Sequence, residues 1–317
     1  ILMRLNKKFT INKYINMKCC WRSVAVSNIE NNMVNELDEI SIVNQKYLNF
    51  DINKYPHKLL GSGHYGECYK IIMNDKEYTC KKIKYLKTIK FSQEVNVLKD
   101  VKNCEYLPEF FIAFSNLEGH YILYDYIPGK DLFQNLQNGF FPVNNKKKVL
   151  LVIKQINNAL FELFNDNYVH LDIKLENIIL TNEEPIRIKL IDLESCKKIN
   201  NKKKSAFCGT IGYASPEMIL QHRYYYNTDI WSLGIILFML YTHDNFFKPD
   251  ITKKLKSDYL KFFETFSKDY IKNRLLENDS FDEEIFDLLT AMLQKLHVNR
   301  ISIHGLKKHK LLLEQDN

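Results

Sequence analysis

Two spacings of apolar and polar residues follow one another along this chain. From Leu59 to Lys84 short apolar runs are separated by turn signals. Leu59-Leu60 leads into a glycine-rich turn, Cys68 to Ile72 follows, and Asn74-Asp75-Lys76 turns the chain into Tyr78 to Ile83. That pattern predicts three short strands. Ser92 to Val101 carries Val95, Leu98 and Val101 at three-residue steps and predicts a helix, while Phe110 to Ile127, broken at Asn116 to Gly119, predicts a hairpin. Beyond residue 130 the pattern predicts apolar helices over Val149 to Phe164, Asp229 to Tyr241 and Glu283 to Leu296, with short strands between Val169 and Ile191. Strands first and helices later predict an α+β chain of two lobes, a small β-rich one with a single main helix and a larger, mostly helical one. Residues 1–50, rich in Asn, Lys and Ile and without glycine, read as an N-terminal extension, partly ordered at best, ahead of a domain over 51–317.

Composition narrows the class. Over 317 residues the chain is 45% hydrophobic and 26% charged, the mix of a globular protein with a real core and not of a disordered or fibrous one. The longest apolar run, Trp231 to Tyr241, falls short of the ~20 residues a membrane helix needs. A net charge of +7 is a mild excess and does not by itself point to nucleic acid or acidic lipid. Cysteines at 19, 20, 68, 80, 104, 196 and 208 are odd in number and lack any CxxC spacing, so neither a disulfide framework nor a zinc site is indicated. A reducing compartment is expected, the cytoplasm with the nucleus left open. Cys19 and Cys20, beside Lys18 and Arg22, offer a palmitoylation site at a membrane surface; the plainer reading is two ordinary cysteines in an extension.

Candidate chemistry begins at Gly61-Ser62-Gly63-His64-Tyr65-Gly66. Glycines there let the backbone approach phosphates closely, or simply make a hairpin turn. A dinucleotide-binding turn would run straight into a helix. Glu67-Cys68-Tyr69-Lys70 instead continues as strand, which favours a hairpin covering a nucleotide. Alternation along the next strand puts Thr79, Lys81 and Ile83 on one face and Cys80 and Lys82 on the other, so one of the two lysines faces the glycine loop. Glu94, in the following helix, is that lysine's natural partner. Further on, Asp172, Lys174 and Asn177 sit between strand-like runs, and Asp192 ends the next run. Phosphoryl transfer needs that inventory: a carboxylate to orient a hydroxyl, a cation for the transferring group, and oxygen ligands for Mg²⁺.

With Gly209-Thr210, Ser215-Pro216-Glu217, Asp229-Ile230-Trp231-Ser232-Leu233-Gly234 and Arg300 added in order, the chain resembles a eukaryotic protein kinase of the serine/threonine class from Tyr55 to Leu313. The resemblance implies the bilobal protein kinase fold, with an N-lobe over 51–124, a hinge over 125–130 and a C-lobe over 131–313. It selects Lys81 over Lys82 as the lysine that, held by Glu94, contacts the α- and β-phosphates of ATP. It implies that the loop from Gly61 through Ser62, Gly63, His64, Tyr65 and Gly66 covers the phosphates, and that Cys68 and Ile179 sandwich adenine. Asp125, Tyr126 and Ile127 would form the hinge, Tyr124 the gatekeeper and Asp131 the ribose contact. Asp172 would accept the substrate hydroxyl's proton, Lys174 would neutralise the γ-phosphate, and Asn177 and Asp192 would hold Mg²⁺. The implied partner is a protein with a Ser or Thr acceptor; no nucleic acid is expected, and a monomer is.

The chain departs from the family pattern where Leu171 replaces the arginine of His-Arg-Asp, where Leu193 and Glu194 replace the phenylalanine and glycine of Asp-Phe-Gly, and where Cys68 and Thr79 replace valine and alanine. Two other readings therefore stand beside the kinase: a pseudokinase acting as a nucleotide-binding or docking scaffold, and a small-molecule or lipid kinase of related fold. Gly209-Thr210 and Ser215-Pro216-Glu217 argue against the second.

Overall fold

The computed structural model describes residues 49–63, 66–199, 207–248 and 256–313. Asn74 and Asp75 take φ of 50° and 60°, the two-residue turn whose twist matches antiparallel strands. They join β2 (Gly66–Met73) to β3 (Lys76–Ile83); β1 (His57–Ser62) lies on the other side of β2. With β4 (Phe110–Asn116) and β5 (Gly119–Asp125) these make a five-stranded antiparallel sheet in the order β1-β2-β3-β5-β4. Phe50 and Ile52 pack on it with Ile71, Tyr78, Cys80, Phe114, Tyr121 and Leu123, and Asn116 donates a side-chain hydrogen bond to the Phe50 carbonyl at 3.0 Å. Helix α1 (Thr88–Asp100) starts about one turn before the apolar periodicity predicts, because its buried face already begins at Phe91.

A short strand, β6 (Gly129–Asp131), and α2 (Leu132–Gln137) lead into the helical lobe. Its axis is α3 (Lys146–Asn165) against α5 (Thr228–Thr242). Every residue of α5 is buried, so it has no solvent face and reads as a central core helix. Between α3 and α5 run β7 (Tyr168–Val169), β8 (Ile178–Thr181), β9 (Ile188–Leu190), β10 (Lys197–Lys198) and α4 (Pro216–Gln221). β6, β8 and β9 form one small sheet and β7 with β10 another. The loop from β7 to β8 and the segment after β9 therefore emerge side by side at the boundary of the lobes.

Behind them come α6 (Lys256–Thr265), α7 (Lys268–Glu277), α8 (Glu283–Met292), α9 (Ile303–Lys307) and α10 (Lys310–Leu313). Helix α8 stops short of the predicted Leu296: the Gln294 carbonyl is turned to the Arg300 guanidinium, accepting from Nε at 3.3 Å and Nη2 at 2.9 Å. Arg300 also grips Glu217 bidentately at 2.8 and 2.9 Å, both side chains buried. Removing one partner of such a pair typically costs ~3–5 kcal/mol. The architecture is the expected bilobal α+β fold. No helix among the described residues is long and apolar enough to cross a membrane. Cys19 and Cys20, and with them residues 1–48, lie outside the described residues.

Candidate active site

The alternation of β3 puts one lysine in and one out. Lys81 is 7% exposed and donates to Glu94 Oε2 on α1 and to Asp192 Oδ1 after β9, each at 2.7 Å. Lys82 points to the other face and pairs with Glu118 at 2.8 Å. Burial works against the Lys81 charge, but Asp192, Glu94 and Glu194 outweigh it and hold its pKa well above the usual lysine value. Burial likewise opposes ionisation of Asp192, yet the Lys81 ammonium pulls that carboxyl below its ordinary range. The lysine is an ammonium and Asp192 a carboxylate, and the contact between them joins the two lobes.

The loop between β7 and β8 supplies a second constellation. Asp172 Oδ2 accepts from Lys174 Nζ at 2.8 Å, and Asp172 Oδ1 accepts from Thr210 Oγ1 at 2.8 Å. Thr210 Oγ1 in turn accepts from Lys174 at 3.2 Å. Asn177 Nδ2 donates to the backbone carbonyl of Asp172 at 2.9 Å. The loop is shaped by Asp229 at the start of α5, whose carboxylate accepts from the backbone N–H of His170 at 2.7 Å and of Leu171 at 2.8 Å. Leu171 and Asp192 both have positive φ, 68° and 63°, a conformation most side chains avoid and which persists only where the surroundings enforce it. Gly209 fits the same corner: a Cβ there would stand 2.4 Å from the Leu171 carbonyl oxygen.

Asn177 and Asp192 are the oxygen pair the sequence points to for a metal. Among the described residues no donor claims the Asn177 amide oxygen, and only Lys81 engages Asp192, through one oxygen. Two hard oxygen donors of this kind, an amide carbonyl and a carboxylate, fit a divalent cation such as Mg²⁺. The donor set of this chain is therefore compatible with that ion.

The expected nucleotide residues line one edge of the sheet and the strands below it. Gly61, Ser62 and Gly63 are exposed, and the loop is closed by Gly63 N–H donating to the Gly66 carbonyl at 2.8 Å. Gly66 answers to packing instead: a Cβ there would lie 1.9 Å from the Lys82 carbonyl oxygen. His64 and Tyr65 lie outside the described residues. Cys68 is paired across the sheet with Lys81, and burial pushes its thiol up to about 11, so it is an uncharged surface there. Asp125 ends β5, its backbone N–H and carboxylate taken up by the Glu109 backbone. Among the described residues nothing hydrogen-bonds the backbone of Tyr126 or Ile127, which leaves the hinge groups available. Tyr124 is buried beside Thr79. Asp131, opposite Ile179 in the register of β6 and β8, caps α2 by accepting from Gln134 N–H at 2.7 Å.

One residue enters the site that the sequence marks only as a departure. Glu194 is 4% exposed, and its Oε2 lies 3.6 Å from Lys81 Nζ. Burial first, then the Asp192 charge, push its carboxyl up to about 7. No local pattern foretells that contact; only its place two residues after Asp192 hints at it.

Comparison with known families matches residues 55–312 to the family described as a protein kinase domain. Among curated proteins, the chain is 28% identical over 281 residues to a probable serine/threonine-protein kinase KIN1 homolog of Enterocytozoon bieneusi, covering 81% of this chain and 46% of that protein. It is 27% identical over 252 residues to ribosomal protein S6 kinase alpha-2 of Mus musculus, covering 74% and 34%. It is 32% identical over 222 residues to serine/threonine-protein kinase cds1 of Schizosaccharomyces pombe, covering 67% and 45%. The chain spans less than half the length of each of these relatives.

Proposed function

Proceeding from the chain's membership of the protein kinase family, to which it belongs by its match over residues 55–312, we propose that it transfers the γ-phosphoryl group of ATP to serine or threonine hydroxyls of proteins. The observation that carries this reading is the arrangement of Lys81 and Asp172. Lys81 bridges Glu94 and Asp192 between the lobes, and Asp172, in the loop between β7 and β8, is held with Lys174, Asn177 and Thr210. Such transfer involves little covalent participation by the protein, so positioned charge supplies most of the rate.

Lys81 presents a fixed ammonium to the α- and β-phosphates, and Gly61 and Gly63 let the backbone of the loop lie close above them. Asp172 orients the incoming hydroxyl and accepts its proton, while Lys174 balances charge building on the γ-phosphoryl oxygens. Asn177 and Asp192 would hold Mg²⁺, which when bound neutralises charge on the β- and γ-phosphate oxygens. Thr210, hydrogen-bonded to both Asp172 and Lys174, holds the two in register. The pseudokinase reading leans on Glu194, whose carboxyl stands 3.6 Å from the Lys81 ammonium where the family pattern has glycine.

A peptide-array phosphorylation assay tests the proposal. Asp172→Ala should lower kcat by roughly 10²- to 10⁴-fold, the span for a positioned acid or base. Lys81→Met should be comparably damaging and Lys82→Met nearly silent. Nucleotide binding by the wild type without Mg²⁺-dependent transfer to any peptide would establish the pseudokinase instead.

A further inference from the structure

Glu194 is an expensive residue to bury. Its side chain is desolvated, and a buried carboxylate is tolerated only where a close partner offsets that loss. Lys81 already serves Glu94 and Asp192, at 2.7 Å each. An ammonium has three N–H donors, so the third remains for Glu194 Oε2 at 3.6 Å, a gap that a small rotamer adjustment closes to a hydrogen bond. The backbone of Glu194 is held separately, by Lys90, which donates to its carbonyl at 3.0 Å. Lys90 precedes Glu94 by one turn of α1, so both carboxylates that flank the lysine are referenced to the same helix. The three carboxylates offer oxygens within 4.8 Å of one another, with Lys81 among them.

We propose that Glu194 is a positioning residue, a second acidic side chain beside the ammonium that keeps Lys81 in place when Asp192 is drawn to the metal, so that the lysine does not depend on Glu94 alone. The inference rests on the phosphoryl-transfer reading of this site. In that reading Asp192 has two claims on it, the lysine and the cation. With glycine at position 194, Lys81 would then be left to Glu94. Here it keeps two acidic side chains in the presence of the metal, and the loss of either one is covered by the other.

The test is the affinity for MgADP by calorimetry, with KM and kcat for ATP, on the full chain as wild type, Glu94→Gln, Glu194→Gln and the double variant. Each single substitution should weaken MgADP by less than about tenfold, and the double should lose over about tenfold more than the product of the singles. Melting temperatures taken without nucleotide separate this from general destabilisation: a merely structural role would lower them and leave the affinity of the folded fraction alone. A double variant equal to the product of the singles overturns the proposal. If the double does not fold, Glu94→Gln decides alone, a loss within about tenfold supporting the proposal and a larger one overturning it. A wild type that binds no MgADP overturns the functional reading and this inference with it; bound nucleotide with additive variants overturns this inference only.

Discussion

Asp229 holds Leu171 by its backbone: the carboxylate accepts the Leu171 N–H at 2.8 Å while that residue sits at a φ of 68°. The second oxygen takes the His170 N–H at 2.7 Å. A leucine in this conformation carries strain of order 1–3 kcal/mol, which the two buried hydrogen bonds offset. The loop bearing Asp172 is thus kept in shape from α5, some distance along the chain from the residues it shapes. Asp229→Asn preserves size but can accept through one oxygen only, and its NH₂ group then faces a backbone donor. The expected outcome is a loss of ~1–3 kcal/mol in denaturant unfolding together with a lower kcat. Unchanged stability and turnover would show that the loop holds its own conformation.

The glycines of the loop after β1 separate into two kinds. Nothing stands within 4 Å of a Cβ on Gly61 or Gly63, whereas one on Gly66 meets the Lys82 carbonyl oxygen at 1.9 Å. Gly63→Ala should therefore leave stability within about 0.5 kcal/mol and raise KM for ATP by restricting the loop. Gly66→Ala should cost ~1–3 kcal/mol, because β2 must move off β3. Thermal unfolding of the two variants side by side checks this, and equal shifts would contradict it.

His120 ties β5 to the start of α1. Thr88 gives its hydroxyl proton to the Tyr85 carbonyl, so the imidazole Nε2–H donates to Thr88 Oγ1 at 3.0 Å and Nδ1 accepts from Ser115 Oγ at 2.6 Å. The ring is neutral and stacks on Phe91, and burial pushes its pKa below the ordinary 6.5. Below that pH the unfolded chain binds a proton that the folded chain resists. Stability should then fall as pH drops from 6.5 towards the lowered folded-state value, and be unaffected by this group above it. His170, His243, His297 and His309 are shifted the same way, so the contrast with His120→Gln isolates this one. Melting temperatures across that range should show a shallower acid slope in the variant. Parallel slopes would count against the assignment.

Much of this site is local in sequence and was legible there. Asp172, Lys174 and Asn177 lie within one loop, and strand alternation reduced the lysine choice to Lys81 or Lys82. Glu94 was readable as the lysine's partner in the following helix, and Lys81 donates to it; Asp192 was expected only as a metal ligand, and its hydrogen bond with Lys81 comes from the fold. What could not be read is what the tertiary fold imposes. The end of α8 depends on a guanidinium that approaches from Arg300. The requirement for glycine at 66 comes from the neighbouring strand, and the contact of Glu194 with Lys81 spans the lobes. None of these leaves a periodicity or spacing in the chain.

Leu171 replaces the arginine that would pair with a phosphate on the segment following Asp192, and the structure puts an apolar contact where that charge would be. Leu171 is buried with Val169 and Met218, and Ile199, Cys208 and Tyr224 pack against the three. Ile199 and Cys208, which lie on either side of residues 200–206 in the chain, pack against the same apolar patch. The nearby cations have other engagements: Lys198 pairs with Asp100 at 2.9 Å and Lys197 lies 5.9 Å from the Tyr224 ring. Lys202, Lys203, Lys204 and Ser205 lie outside the described residues. Pairs between exposed charges contribute only ~0–1 kcal/mol, so a phosphate relying on them should change activity by no more than about fivefold. Phosphatase-treated protein and Ser205→Ala should both keep most of their kcat. Thr210→Ala is a poorer probe, since Thr210 donates to Asp172 directly. Leu171→Ala, by contrast, removes buried contacts at both ends of the segment. It should speed proteolysis between Ile199 and Cys208 and lower kcat in a chain that stays folded by circular dichroism. Abolished turnover on dephosphorylation, with the fold intact, would mean that another cation has taken the arginine's place and that the apolar patch is not what holds the segment.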